Sequence, residues 1–180
     1  AGLDKNVAEL EAVQPARWTA DQVTPLVGSN WIPPKHYEDF AKHLLGTDHA
    51  TVHYSSLANA FNMIVGEYGA EKHTAWGTPE MPPDNILRGM LNSRIPKVME
   101  EYRDEHGNER KRENKEASAL VVLKAKEIAD EFGNWVYTDA ARRRELVDIY
   151  NDKFNTRVNR QHDGSHLTLP GMNPDFTTRK

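Results

Sequence analysis

The chain contains no cysteine. That excludes a disulfide scaffold, a thiolate metal site and a cysteine nucleophile. Long apolar runs are also missing, and none approaches the roughly 20 residues that cross a bilayer. The opening AGLDKNVAEL lacks the basic-then-apolar order of a secretory signal. A soluble, cytoplasmic protein without membrane partners is the expectation. Hydrophobic residues make up only 38 % and the mean hydropathy is −0.76, which predicts a modest core under much solvated or partner-facing surface. What is present argues against disorder, because 4 Trp, 6 Tyr and 5 Phe supply packing anchors. A length of 180 residues suits one ordinary domain or two small ones.

Periodicity divides the chain. Leu3, Val7 and Leu10 recur at helical spacing up to Pro15. A second short helix is expected over 19–27, capped by Thr19 and stopped by Gly28, with Pro25 inside it. Pro33 and Pro34 then open a helix whose stripe is Tyr37, Phe40, Ala41, Leu44 and Leu45, ended at Gly46. Residues 51–54 and 61–65 read as strands joined through 55–60, and 73–76 as a third. Pro79, Pro82 and Pro83 lead into a helix capped by Asp84, with Ile86, Leu87, Met90 and Leu91 on one face. After Pro96 the charged stretch KVMEEYRDEHGNERKREN reads as a hairpin turning at 106–108. Ala117, Leu120, Val121, Ala125, Ile128 and Phe132 hold one helical stripe, stopped by Gly133. Thr138 or Asp139 caps a last helix carrying Leu146, Ile149, Tyr150 and Phe154, and from Asn155 the periodicity is lost.

The expected class is α+β, mostly helical, with a small antiparallel or mixed sheet in the middle third. A connector or accessory domain spans 1–155 (helical 1–46, β-containing 47–113, helical 114–155), and an extended connector spans 156–180. The opening without an initiator Met and the closing LPGMNPDFTTRK read as a piece of a longer chain.

The chemistry-bearing residues are weighed in turn. His162, Asp163 and His166 place two imidazoles and a carboxylate within five residues, the remote basis for a metal-dependent hydrolase. Two histidines four apart share a face on a helix, whereas Gly164 and the lost periodicity favour a locally hydrogen-bonded turn. His49 and His53 fall in a strand-like segment and make a poor metal pair. There is no HExxH, no GxxxxGK[ST] and no GxGxxG after a strand, so zincin, P-loop and dinucleotide chemistry have no local basis. No nucleophile–base pair is identifiable, and no catalytic residue is assigned.

For nucleic acid the candidates are basic. Three consecutive arginines, Arg142, Arg143 and Arg144, splay over about 200° of a helix and cannot all face one partner. Glu145, Asp148 and Asp152 follow, so an ordinary solvated face is the plainer reading. The functional alternative is a local groove in which Arg142, Arg143, Arg157 and Arg160 contact phosphates, with His162 and His166 as secondary contacts. A formal charge of −4 adds little long-range attraction to DNA. Trp31 is expected to pack under the helix it starts, and Trp135 to join the core.

Several phrases recur in a fixed order: AELEAVQP, SNWIPPKHYEDFAKHLLG, the Trp76-Gly77-Thr78 turn, EFGNWVYTDAARRRELVDIYNDKFN and HDGSHLTLPGMNPDFTTRK. Over almost the whole chain this resembles a stretch of the very large phage- and plasmid-borne proteins that join an adenine-specific DNA methyltransferase to a Swi/Snf-like superfamily II helicase, similar to an antirestriction protein packaged with phage DNA. NWIPP, YNDKFN and DGSHLTLPGM are the most specific pieces. In that family the stretch lies after the methyltransferase and before the helicase motor, so Arg179 and Lys180 would be its last residues before the ATPase. The resemblance implies ATP with Mg and S-adenosylmethionine for the parent and no cofactor for this stretch. It also implies the neighbouring motor and methyltransferase as partners, DNA as a possible partner, and packaging of the parent in a virion. The sequence departs from the family in carrying VNRQ where an Arg-Pro-Arg run is common. The expected function is a non-catalytic connector that helps position DNA for the motor; the alternative is a structural or protein-interaction module that does not touch DNA.

Overall fold

The structure, a computed structural model, describes residues 6, 7, 10 and 14–158. It divides into two units, Trp18–Phe154 and Ala1–Arg17 with Asn155–Lys180. In the latter, Asn6, Val7 and Leu10 are helical, and the rest of the stripe read from Leu3 to Leu10 lies outside the described residues.

Helix α1, Pro34–Leu45, organises the Trp18–Phe154 unit. Pro34 occupies its first turn, where the missing N–H would be unsatisfied in any case. Gly46, at φ 64°, ends it in the left-handed conformation and donates its N–H to the Lys42 carbonyl. The expected stripe is buried, and Phe40 and Ala41 are wholly inaccessible.

Two hairpins follow the α+β expectation, as separate two-stranded antiparallel sheets. Strands β1 (Ala50–Ser55) and β2 (Ala60–Val65) pair with Val52 opposite Met63 and Tyr54 opposite Phe61 on the core side. Alternation works as period-2 geometry requires, turning Thr51, His53 and Ile64 outward. Strands β3 (Met99–Arg103) and β4 (Glu109–Glu113) turn through Gly107, at φ 79°. This second hairpin is largely exposed and is laced by ion pairs, Arg112 to Glu100 at 2.6 Å and Lys111 to Glu101 at 3.4 Å.

Between the hairpins, residues 73–76 are helical rather than a strand. They form the end of α2, Ala70–Trp76, because four residues are too few to separate a period of 2 from one of 3.6. Helix α3, Pro83–Leu91, is capped by Pro82 and not by Asp84. Asp84 sits in its first turn, accepting from the Tyr68 hydroxyl at 2.7 Å and pairing with Arg88 at 3.2 Å. The helix expected over 19–27 shrinks to one 3₁₀ turn, Ala20–Gln22. Thr19 does precede it, but Pro25 disfavours helix at Thr24 and the chain is extended from Val23.

Helix α4, Lys115–Val136, starts at Asn114, whose side chain accepts from the Ala117 N–H. Gly133 does not stop it. Val136, one turn beyond, is fully buried, and that packing outweighs the modest helix cost of one glycine. Leu120 leaves the stripe and is exposed, while Ala117, Val121, Ala125, Ile128, Phe132 and Val136 make the buried face. Helix α5, Ala140–Phe154, begins after Asp139, which accepts from the Arg142 N–H at 2.7 Å as expected of a cap. Trp31 is buried in the same cluster as the α1 stripe and packs on α5 as well, its ring 5.2 Å from Tyr150 and 6.5 Å from Phe154.

Two glycines give opposite expectations. A Cβ on Gly133 would meet no atom, so Gly133→Ala should raise stability by about 1 kcal/mol. Gly28 has φ +86°, and a Cβ there would lie 2.7 Å from the Met90 carbonyl and 2.8 Å from that of Leu91, so Gly28→Ala should cost more than about 1 kcal/mol. Urea unfolding of both variants checks the pair.

Candidate functional site

The arginines of α5 have divergent fates. The Arg142 guanidinium lies over the Trp135 ring, with Cζ 3.6 Å from its centroid. Its Nε donates to the Val136 carbonyl at 2.8 Å, and its Nη2 to the Trp135 carbonyl at 2.8 Å and the Thr138 hydroxyl at 3.1 Å. It therefore satisfies carbonyls at the end of α4 that have no partner within the helix, and its charge complements the negative end of the helix dipole. Arg143 is exposed, and its side chain has no partner among the described residues. Arg157, in the other unit, is also exposed. Arg160, His162 and His166 lie outside the described residues.

The same corner holds a titratable cluster that periodicity had not singled out. His36 is buried on α1, and its Nε2 lies 3.3 Å from Glu145 Oε2 without hydrogen-bond alignment; neither ring nitrogen has a hydrogen-bond partner among the described residues. Burial pushes its pKa down, Glu145 and Asp39 oppose that shift, and Lys35 and Arg142 reinforce it. Glu145 is held below its ordinary value, chiefly by Lys35 at 2.8 Å. Nearby, His43 pairs with Glu131 at 2.8 Å and stacks with Trp135.

The two ends of the Trp18–Phe154 unit are side by side. The buried Asn151 side chain accepts from the Trp18 N–H at 2.7 Å and donates to the Trp18 carbonyl at 2.9 Å, reproducing a strand-like pair of hydrogen bonds. The Tyr150 ring lies 5.5 Å from Trp18 and 4.9 Å from Phe154. Chain entering at Trp18 thus meets chain leaving at Phe154.

A cleft of about 490 Å³ opens between residues 26–31, the end of the β1–β2 hairpin and the C-terminus of α3. Tyr54 and Phe61 form its aromatic wall, their ring centroids 4.8 Å apart, and the Tyr54 hydroxyl donates to Asn59 Oδ1 at 2.6 Å. Asn92 locks that wall to α3: it accepts from the Phe61 N–H at 2.9 Å and donates to the Phe61 carbonyl at 3.0 Å. Among the described residues no three His, Cys, Asp or Glu side chains converge as a metal centre requires, and no helix is long and apolar enough to cross a membrane.

The His36 cluster gives a pH prediction. A histidine whose folded pKa is lowered binds more protons when unfolded, so its contribution is present above the ordinary value of 6.5 and is lost as pH falls below it. The lowered carboxyl of Glu145 acts separately, below its ordinary 4.5. Stability should therefore fall between about pH 7 and 5. His36→Leu, which removes the unpartnered nitrogens, should flatten that slope in denaturant titrations across the window.

No curated protein and no solved structure matches the chain. One family does, over residues 26–156, a range that begins at the rim of the cleft and ends just past α5. By that match the chain belongs to the family described as Domain of unknown function (DUF8437).

Proposed function

We propose that the chain is a non-catalytic connector module of a DNA methyltransferase–helicase protein, holding its flanking segments side by side and positioning DNA for the adjacent motor. One observation carries the reading: Asn151 clips the backbone of Trp18 at the point where α5 ends. A module whose two ends meet behaves as an appended unit and brings what precedes and follows it close together. The resemblance through NWIPP, YNDKFN and DGSHLTLPGM supplies the parent activity, and no catalytic residue or cofactor comes with it.

DNA contact falls to Arg143 and Arg157, together with Arg160, His162 and His166. A second reading, a coupler that never touches DNA, is favoured by Arg142, whose donors are turned onto the end of α4.

Two measurements follow. Asn151→Ala leaves the Trp18 N–H and carbonyl without their partner and should cost about 2 kcal/mol in urea unfolding. Loss of less than about 0.5 kcal/mol would remove the clip from the argument. Fluorescence anisotropy with labelled duplex, single-stranded and forked DNA between about 25 and 200 mM salt should show binding that weakens steeply with salt. Arg143→Glu combined with Arg157→Glu should weaken it several-fold. Unchanged affinity would refute those contacts, and no binding at the lowest salt would establish the coupler.

A further inference from the structure

We propose that the cleft walled by Tyr54 and Phe61 is a binding site for an uncharged planar ring with a hydrogen-bonding edge, a ring of the nucleobase class. Its volume, about 490 Å³, lies within the roughly 300–1,000 Å³ range of small-molecule sites. In a chain with 28 % charged residues, no Asp, Glu, Lys, Arg or His lines it. A charged ligand would lose its hydration there without gaining a counter-ion. A wholly apolar ligand would strand the amides and hydroxyls of the rim. The Asn30 amide, the Asn59 Nδ2 and the hydroxyls of Ser29 and Ser93 have no partner among the described residues, and together they offer both donors and acceptors. A neutral ring that stacks on one side and hydrogen-bonds along its edge answers both constraints.

The wall is fixed before any ligand arrives. Tyr54 is held by Asn59 and backed by Phe61, which Asn92 ties to α3. Left-handed backbone gathers at the same place. Asn59 (φ 46°) and Ser93 (φ 54°) are the non-glycine residues with positive φ among those described, and both line the cleft. Asn tolerates that conformation, whereas at Ser93 it is held by the surrounding structure, as left-handed backbone at binding sites often is. Trp31 lines the cleft and also packs on Tyr150, so an occupied cleft borders the junction where the unit's ends meet.

The ring could come from a free nucleoside or from an unpaired base of a strand. The inference rests on the cleft's neutral lining and not on the phosphate contacts above. The test uses the full chain and amide chemical-shift mapping, with adenosine, cytidine and thymidine as probes and ribose 5-phosphate as a ring-free control. Saturable shifts at Tyr54, Asn59 and Ser93 on the order of millimolar nucleoside, absent with the control, are expected. Tyr54→Ala should weaken binding about tenfold, the usual scale for loss of one base-stacking ring. Asn59→Gly, which relieves a positive φ while removing the amide, should weaken binding and stay folded.

A single-stranded oligonucleotide and its abasic counterpart separate the sources. Tighter binding of the intact strand, abolished by Tyr54→Ala, assigns the cleft to strand bases; equal binding of the two assigns it to free nucleosides. Shifts that map elsewhere, or nucleoside affinity unchanged by Tyr54→Ala, would overturn the proposal. Failure of salt-dependent binding alone would overturn only the phosphate contacts.

Discussion

The placement of Tyr37 is the constraint on which the Trp18–Phe154 unit depends. Its ring stacks on Phe132 of α4 at 5.8 Å and meets Phe61 of β2 edge-on at 5.3 Å. Its hydroxyl, deep in the core, must find an acceptor, and it donates to the Ser29 carbonyl at 2.9 Å, with the Leu26 carbonyl 3.3 Å away. Burial pushes the phenol above its ordinary pKa, so it stays a neutral donor. One side chain on α1 therefore joins the long helix, the first hairpin and the loop over 26–31. Phe40 repeats the attachment to Phe132 at 5.0 Å, one turn along. Because 26–31 and Phe61 are both rims of the cleft, the core hydrogen bond of Tyr37 also fixes the width of a surface feature.

Much of this architecture is legible from local sequence rules, for identifiable reasons. Helix α1 is bounded by Pro33-Pro34 and Gly46, residues whose backbone preferences need no tertiary help. The two hairpins are likewise visible, one from alternation and the other from a charged stretch around Gly107. Legibility fails where tertiary contact decides. Gly133 reads as a stop, yet burial of Val136 carries α4 past it. Leu120 satisfies the helical spacing and is exposed all the same, because the buried face is set by what packs on α4.

The candidate sites were less legible than the fold. Three adjacent arginines look equivalent in sequence. Their difference arises from a corner between α4 and α5 that places the Trp135 ring and two helix-end carbonyls beside Arg142 and leaves Arg143 in solvent. The cleft left no local signal, since Asn30, Tyr54, Asn59 and Ser93 come from three separated stretches that tertiary contacts such as those of Tyr37 and Asn92 bring together. The one trace was compositional: Asn and Gly tolerate positive φ, and they stand at two of the cleft's three such positions.

Charge is distributed consistently with a module that presents its two ends and one neutral cleft rather than a broad electrostatic face. Hairpin β3–β4 has little core of its own, and its exposed charged side chains discourage its edges from pairing with another strand. They are matched across the strands, Arg112 with Glu100, Lys111 with Glu101 and Arg103 with Glu109, which cancels most of the local field. Exposed pairs of this kind add little stability. They leave the basic residues of this hairpin paired rather than gathered into a free basic patch. In the reading proposed above, affinity for a polyanion comes from individually exposed arginines such as Arg143, and selectivity from a place where charge is absent. The proposed base-binding cleft has such a neutral lining, and Trp31 joins it to the aromatic contacts at the ends of the unit.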